Sequence, residues 1–323
     1  MALTCSLIIR SYNEQRHIRR LLEGIKKQTI FLNTEIILVD SGSDDDTVAI
    51  AREYNVKIIN IKPDEFSFGR ALNRGCAEAK GEFLFFASAH VYPLYTDWIE
   101  KMLLPFTDEE IGLVYGRQVG CDFSKYSEQQ LLNKWFPAYS NYKQTISFCN
   151  NANCVVRKKL WEGQPYDENL TGLEDLDWAS KMQAKGYKIA YEAFAPIVHV
   201  HDETPVRVKN RYRREALALK IIYPLEHFSF FNFVKLTIAN ICSDSFHAIH
   251  DGVFFKNLKS IFSFRFMQFW GTYLGYRQKN LPNETLRKRL YYPNDLKRNP
   301  NKQGEQPPSS GVGEKIIYSG FEG

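Results

Sequence analysis

The chain has 323 residues, 44% of them hydrophobic and 14% aromatic, which is enough for a sizeable core in one large or two fused domains. Its 42 basic and 37 acidic residues leave a formal charge of +5, too even a balance for a protein that coats nucleic acid. Six cysteines without a C-x-x-C pair are a poor zinc or disulfide pattern and read as reduced, mostly buried thiols.

The opening MALTCSLIIR carries no basic leader or cleavage pattern, so a cytoplasmic protein is expected. CSLIIR reads as a first strand, and NEQRHIRRLLEGIKKQ as a helix with Ile18, Leu21, Leu22 and Ile25 at helical spacing. TEIILVD is a second strand, DDTVAIAREY a helix opened by acidic residues, and VKIINI a third strand. FGRALNRGCAEAKG follows as a helix closed by Gly81, and GEFLFFASAH is a fourth strand whose unbroken apolar run predicts burial on both faces. This β-α order implies a largely parallel sheet with helices on its faces. TDWIEKMLLPF reads as helix and IGLVYGRQVG as strand, whereas residues 120–150 resist assignment. A short strand in NANCVVRKKLW, a helix around EDLDWASKMQAKG and a strand in GYKIAYEAFAPIVHV complete the sheet and form the wall opposite its nucleotide end.

Residues 206–223 form an amphipathic helix with Val208, Tyr212, Leu219 and Ile222 near one face and Arg207, Arg211 and Arg214 on another. Such a helix suits an anionic membrane surface, and equally a surface helix packed on its domain. Further helical segments run to 275; the most apolar, FSFFNFVKLTIANIC, is broken by Asn232, Lys235 and Asn240 and does not span a bilayer. The expected boundaries are 1–205 for the sheet domain, divided at 118/119 into a nucleotide half and an acceptor half, 206–292 for the helical region, and 293–323 for a disordered tail.

Two constellations carry chemistry. Asp40 ends the second strand before a small-residue turn, where a carboxylate can accept a hydrogen bond from a base N–H; capping the next helix is the alternative, for which Asp44 to Asp46 are better placed. In TGLEDLDWASKM, acidic residues at a helix start can deprotonate a hydroxyl nucleophile or only stabilise the helix end, which is the reading preferred for Asp177. Trp178 reads as core, although an indole can stack on a sugar. Tyr126, Trp135, Tyr139, Tyr142 and Asn150 suit an acceptor surface or ordinary packing.

Together IIRSYNE, LVDSGSDDDT, FGRALNRG and EDLDW resemble the family 2 glycosyltransferases of GT-A fold, and within them the rhamnosyltransferase-like enzymes of bacterial surface polysaccharide assembly. The resemblance implies transfer of a sugar, with inversion, from a nucleotide-sugar donor to a hydroxyl of a glycan or lipid-linked glycan. It implies Ser11, Asn13 and Glu14 lining the nucleotide pocket, Asp40 on the base, Arg70 and Asn73 near ribose and phosphates, and Asp175 as base with Glu174 orienting it. The chain departs from the family where an Asp-x-Asp is usual, since Ser88-Ala89-His90 stands there. Two routes then stabilise the leaving group: His90 with His201 or His199 ligating Mn²⁺ or Mg²⁺, or a protonated His90 aided by Arg70 or Arg207. A catalytically degenerate binding module and a nucleotidyltransferase are the competing readings; IIRSYNE in place of a Gly-rich basic loop disfavours the second.

Overall fold

The computed structural model describes residues 4–122, 124–279 and 313–318. Strands β1 (Cys5–Ser11), β2 (Thr34–Asp40), β3 (Lys57–Asn60) and β4 (Phe83–Ser88) alternate with helices α1 (Ile18–Lys26), α2 (Thr47–Arg52) and α3 (Phe68–Ala77). Then come β5 (Val91–Pro93), α4 (Trp98–Leu103), β6 (Ile111–Val119), α5 (Tyr126–Trp135), β7 (Asn141–Gln144), β8 (Asn153–Arg157), α6 (Lys158–Gly163), α7 (Glu174–Ala184) and β9 (Lys188–His199). Three helices close the described main body: α8 (Pro205–Ile222), α9 (Phe230–His250) and α10 (Phe254–Arg277).

The strands form one sheet in the order β3-β2-β1-β4-β8-β6-β9-β5, with β7 on the edge of β9. The first four run parallel, β6 and β9 are parallel, and β8 is antiparallel between β4 and β6. Alternate residues of the apolar strands go to opposite faces. Ile8, Ile37, Val39 and Phe86 pack with α3, α6 and α7 through Leu72, Trp161 and Trp178. Leu7, Ile9, Leu38 and Phe85 pack with α1 and α4 through Leu22 and Trp98. Burial on both faces explains why these strands lack polar alternation.

The expected helix from residue 13 begins only at Ile18. Residues 13–15 instead join the loop after β2: Asn13 N–H donates to Ser43 Oγ at 2.9 Å, Glu14 N–H to Thr47 Oγ1 at 2.7 Å and Gln15 N–H to Asp45 Oδ2 at 3.2 Å. Asn13 sits at φ 54°, in the left-handed region that asparagine tolerates better than most residues. These cross-loop bonds supply partners that a longer helix would have lost. The unassigned 120–150 segment holds α5 and the short edge strand β7, and β5 was not foreseen at all.

The Arg-bearing face of α8 does not look outward. Arg207 is buried, Arg211 pairs with Glu128 at 2.8 Å and Glu203 at 2.9 Å, and the Arg214 guanidinium lies 4.7 Å from the Phe68 ring centre. The opposite side of α8 packs on α10, where a Cβ on Gly271 would stand 2.3 Å from Lys209 O and one on Gly275 2.6 Å from Ala216 Cβ. Close helix approach therefore requires both glycines. In α10, Arg265 forms a buried bidentate pair with Asp244 of α9 at 2.7 and 2.8 Å, tying the two helices together. Among the described residues no helix is long and apolar enough to cross a membrane.

Within the segment expected to be disordered, residues 313–318 are packed against the sheet domain. Ile316 N–H donates to Leu94 O at 2.9 Å, Tyr318 Oη donates to Pro93 O at 2.6 Å, and both side chains are buried beside Tyr92 and Val198. The Pro/Gly/Ser-rich composition upstream hid this short apolar IIY anchor. Residues 293–312 and 319–323 of that expectation lie outside the described residues.

Candidate active site

The parallel half of the sheet ends in loops that gather at the carboxyl tips of β1, β2 and β4. Beside β2 they leave a cleft of about 700 Å³, lined in part by Asp40, Ser43, Asn60, Lys62, Glu65 and Arg74. It lies at the carboxyl ends of β2 and β3, the end of an open α/β sheet at which ligands bind, one strand away from the β1/β4 switch point. Asp40 accepts from Ser11 Oγ at 3.0 Å, Ser43 Oγ at 2.6 Å, and the N–H groups of Gly42 and Ser43 at 3.0 and 2.9 Å. Its carboxylate, which the sequence assigns to base recognition, is thus spent on holding its own turn, and Ser11 is one of the donors that fix it.

At the carboxyl ends of β1 and β4 stands the start of α7. Leu173, at φ 56°, turns the chain so that Glu174 and Asp175 enter the helix at the sheet's carboxyl edge. Arg10 lies beside Ser88 in the β1–β4 register, and its Nη1 donates to Glu174 Oε1 at 2.8 Å. The guanidinium also lies 4.8 Å from the centre of the Phe68 ring. Asp175 accepts from Asn151 N–H and from Leu176 N–H, each at 2.9 Å. Burial, and after it the Glu174 charge, raises the Asp175 pKa from 3.8 to about 7 against the pull of these N–H donors and Arg10. A carboxyl titrating near neutrality is suited to taking a proton from a hydroxyl.

At the third corner are three histidines. The main chain turns after β4, so that Val200 N–H donates to His90 O at 3.0 Å and Val91 pairs with His199. This pairing sets His90 beside His199 and His201, with ring centres 5.1 and 5.8 Å away, while the His199 and His201 rings are 4.0 Å apart. Burial, then the charges of His201 and His90, push the His199 pKa well below its ordinary value, so that ring is neutral. Glu128, behind His201, would be raised by burial, but the His201 and Arg211 charges bring it down to about 2.

The family model described as glycosyl transferase family 2 matches residues 6–163. The O-antigen chain rhamnosyltransferase RfbN of Salmonella typhimurium is 30% identical over 220 residues, covering 64% of this chain and 69% of that protein. The chain belongs to glycosyltransferase family 2. WbaN of Salmonella anatum, another O-antigen chain rhamnosyltransferase, is 30% identical over 192 residues, covering 55% of this chain and 60% of WbaN. Among solved structures, the mannosyltransferase PcManGT of Pyrobaculum calidifontis, in complex with GDP-Man and Mn²⁺, aligns with a TM-score of 0.59 at 16% identity, over 87% of this chain and 89% of its own. S. aureus TarS 1-349 aligns with a TM-score of 0.53 at 16% identity, over 74% of this chain and 70% of its own. The fold is GT-A, and the chain is a glycosyltransferase.

Several residues that the resemblance assigns to the donor are engaged elsewhere. Asn73 donates to Tyr166 O at 2.9 Å and Glu168 Oε1 at 3.1 Å and accepts from Trp161 Nε1 and Tyr166 N–H at 3.0 Å, so its amide clamps the 161–168 connection onto α3. Arg70 bonds Glu168 Oε2 and Glu65 O, both at 2.7 Å; Arg74, paired with Glu65 Oε2 at 2.9 Å, is the arginine that lines the cleft. Asn13 bridges to Asp44, and Glu14 holds His90 Nδ1 at 2.9 Å. Trp178 is buried and donates to Gln164 O, which makes it core, and Asp177 pairs with Lys181 one turn on at 2.7 Å. Of the aromatic acceptor candidates, Tyr126 Oη is tied to Asp251 and Tyr142 Oη to Glu192, while Asn150 Oδ1 accepts from Ala152 N–H; Trp135, stacked on Phe148, and Tyr139 stay exposed. Sequence reasoning missed Arg10 as the partner of Glu174 and Asn151 as the donor to Asp175; Arg10 lay in plain view inside IIRSYNE.

The divalent cation implied by the resemblance has a fitting donor set. One ring nitrogen from each of His90, His199 and His201 lies within 4.8 Å of the others, close enough for shared ligation after small ring rotations.

Proposed function

We propose that this glycosyltransferase of polysaccharide biosynthesis is an inverting enzyme that extends a bacterial surface glycan from a nucleotide-sugar donor seated in the Asp40–Arg74 cleft. The carrying observation is the placement of Asp175, a buried carboxyl held by Asn151 N–H at the head of α7, where Arg10, opposite Ser88 at the tip of β4, binds the adjacent Glu174; burial also raises the Asp175 pKa. As the acceptor oxygen forms its bond to the anomeric carbon, Asp175 takes the hydroxyl proton and the bond from that carbon to phosphate oxygen breaks. Glu174, held by Arg10, keeps the base in place and binds acceptor hydroxyls. Negative charge then collects on the departing phosphate. A cation at His90 and His201 would supply the compensating charge; without one, protonated His90 is the remaining route, because Arg70 is engaged by Glu168. RfbN and WbaN are named as O-antigen rhamnosyltransferases, so a rhamnosyl donor and an O-antigen-type acceptor are the first to try. The raised Asp175 pKa favours catalysis over a degenerate module.

Thermal denaturation with UDP-, dTDP- and GDP-sugars tests the donor site. One donor class should stabilise the protein by about 2.7 kcal/mol at a concentration 100 times its Kd. Arg74→Ala should weaken that donor roughly tenfold, as loss of one charged hydrogen bond does. Absence of a shift with every nucleotide sugar, and of transfer to any glycan acceptor, would refute the reading.

A lipid-linked acceptor also suits the helical region. With the arginines of α8 turned inward, the case for peripheral membrane contact passes to exposed Phe231, Ile238 and Phe246 on α9 and Phe255 and Phe262 on α10, among Lys235, Lys256 and Lys259. Phe231→Ser together with Phe255→Ser should lower co-sedimentation with anionic vesicles severalfold. Equal recovery of wild type and variant in the vesicle pellet counts against a membrane role for these helices.

A further inference from the structure

We propose that His90, His199 and His201 form an all-nitrogen site for one divalent transition ion of the Zn²⁺ or Co²⁺ kind, bound through the three Nε2 atoms, and that Mg²⁺ is not its guest. The role of such an ion in sugar transfer rests on the function proposed above, whereas its binding does not.

Each imidazole has its Nδ1 committed. His90 Nδ1 is 2.9 Å from Glu14 Oε1, His199 Nδ1 is 2.7 Å from Gln118 Oε1, and His201 Nδ1 is 2.7 Å from Glu128 Oε1. All three facing atoms are acceptors, so each Nδ1 carries a proton, and Nε2 is the nitrogen each ring can offer to a metal ion, which displaces any second proton. Arg211 Nη1 also comes within 3.2 Å of His201 Nδ1, but the carboxylate is nearer and fixes the proton on the ring. A neutral imidazole oriented by an acceptor behind it is how proteins present histidine to a metal. Surface histidines brought together by chance have no reason to share this arrangement.

The backbone supports convergence. His199 and His201 are two residues apart on an extended segment and project to one side, and His90 is locked next to them by the Val200 to His90 hydrogen bond. His199 is 6% exposed, and its Nε2 is buried with no hydrogen-bond partner, an arrangement that costs stability unless something accepts that lone pair. Nitrogens around a tetrahedral ion with bonds of about 2.0–2.1 Å stand roughly 3.3 Å apart, within reach of rings whose nitrogens already lie inside 4.8 Å. Imidazole suits first-row transition ions in the order Mn²⁺ < Co²⁺, with Zn²⁺ tight, while Mg²⁺ demands oxygen. The replacement of Asp-x-Asp by Ser88-Ala89-His90 then changes which metal is held, rather than discarding the metal.

Full-length protein stripped with chelator and titrated with Co²⁺ should take up one equivalent per chain and develop the visible absorption of nitrogen-ligated Co²⁺. Zn²⁺ should abolish the band and millimolar Mg²⁺ should leave it. His199→Ala and His201→Ala should each weaken Co²⁺ at least about 100-fold, and Gln118→Leu, which removes only the acceptor behind His199, about 10- to 100-fold. The wild-type displacement series decides the matter even if a variant folds poorly. Lack of a stoichiometric Co²⁺ complex, displacement of Co²⁺ by Mg²⁺, or unchanged affinity in the histidine variants overturns the site. Full transfer by metal-stripped enzyme would remove the ion from catalysis and leave the transfer reading standing; Co²⁺ binding with no donor-dependent transfer would do the reverse.

Discussion

Asp175→Asn is expected to lower kcat by about 10²- to 10⁴-fold, the range that a positioned general base contributes, while Asp177→Asn changes it little. Asp175 is held by Asn151 N–H at the head of α7, whereas Asp177 is bound to Lys181 on the next turn. The pH profile gives the sharper test. The base must be ionised to accept a proton, so activity should rise through pH about 7 and saturate above it. A carboxyl with the ordinary pKa of about 3.9 would be almost fully ionised by about pH 6. Stability moves the other way, because a carboxyl whose folded pKa is raised favours the native state below its unfolded pKa and loses that contribution as pH climbs through the folded value. Asp175→Asn should therefore have a higher Tm than wild type at pH 8, with the gap narrowing toward pH 4. An active asparagine variant, or a wild-type profile flat between pH 5 and 8, would take the base assignment away.

The second large effect is expected at Arg10. Arg10→Met removes the guanidinium from a mostly buried pair and strands the Glu174 carboxylate, with side-chain exposures of 18% and 5% in the native protein. Breaking one side of such a pair costs about 3–5 kcal/mol. The same change removes a positive charge that holds the Asp175 pKa down, so the acid limb of the activity profile should move to higher pH. Glu174→Gln in the Arg10→Met background should recover much of the stability, because no orphaned charge is left; a double-mutant cycle measures the coupling. Additive losses in that cycle, with an unmoved acid limb, would mean that Arg10 and Glu174 do not act as a unit.

The β-α alternation, the apolar strands and the acidic start of α7 are legible in the sequence because each depends on neighbours within a turn or a pleat. Asp175 belongs to that class. Asp40 and Asn73 do not: their residue types and spacing match a donor pocket, yet their polar atoms are consumed by hydrogen bonds to Ser43 in one case and to the 161–168 connection in the other. The arginines of α8 illustrate the same limit. Helical periodicity places Arg207, Arg211 and Arg214 on one face, but says nothing about Glu128 and Glu203 waiting for Arg211.

The amino-acid sequence by itself determined the order of the elements, the largely parallel α/β class of the sheet domain and the position of the acidic pair, since periodic burial and short motifs are local properties of the chain; the GT-A class came with the family resemblance that those motifs carry. Only the tertiary structure decided that the tip of β4 and the head of α7 share one edge of the sheet, that β5 pairing carries His90 to His199 and His201, and that Ile316 and Tyr318 return to the domain. Those contacts join residues about a hundred or more positions apart, and no local pattern encodes which distant partner a buried polar atom will find.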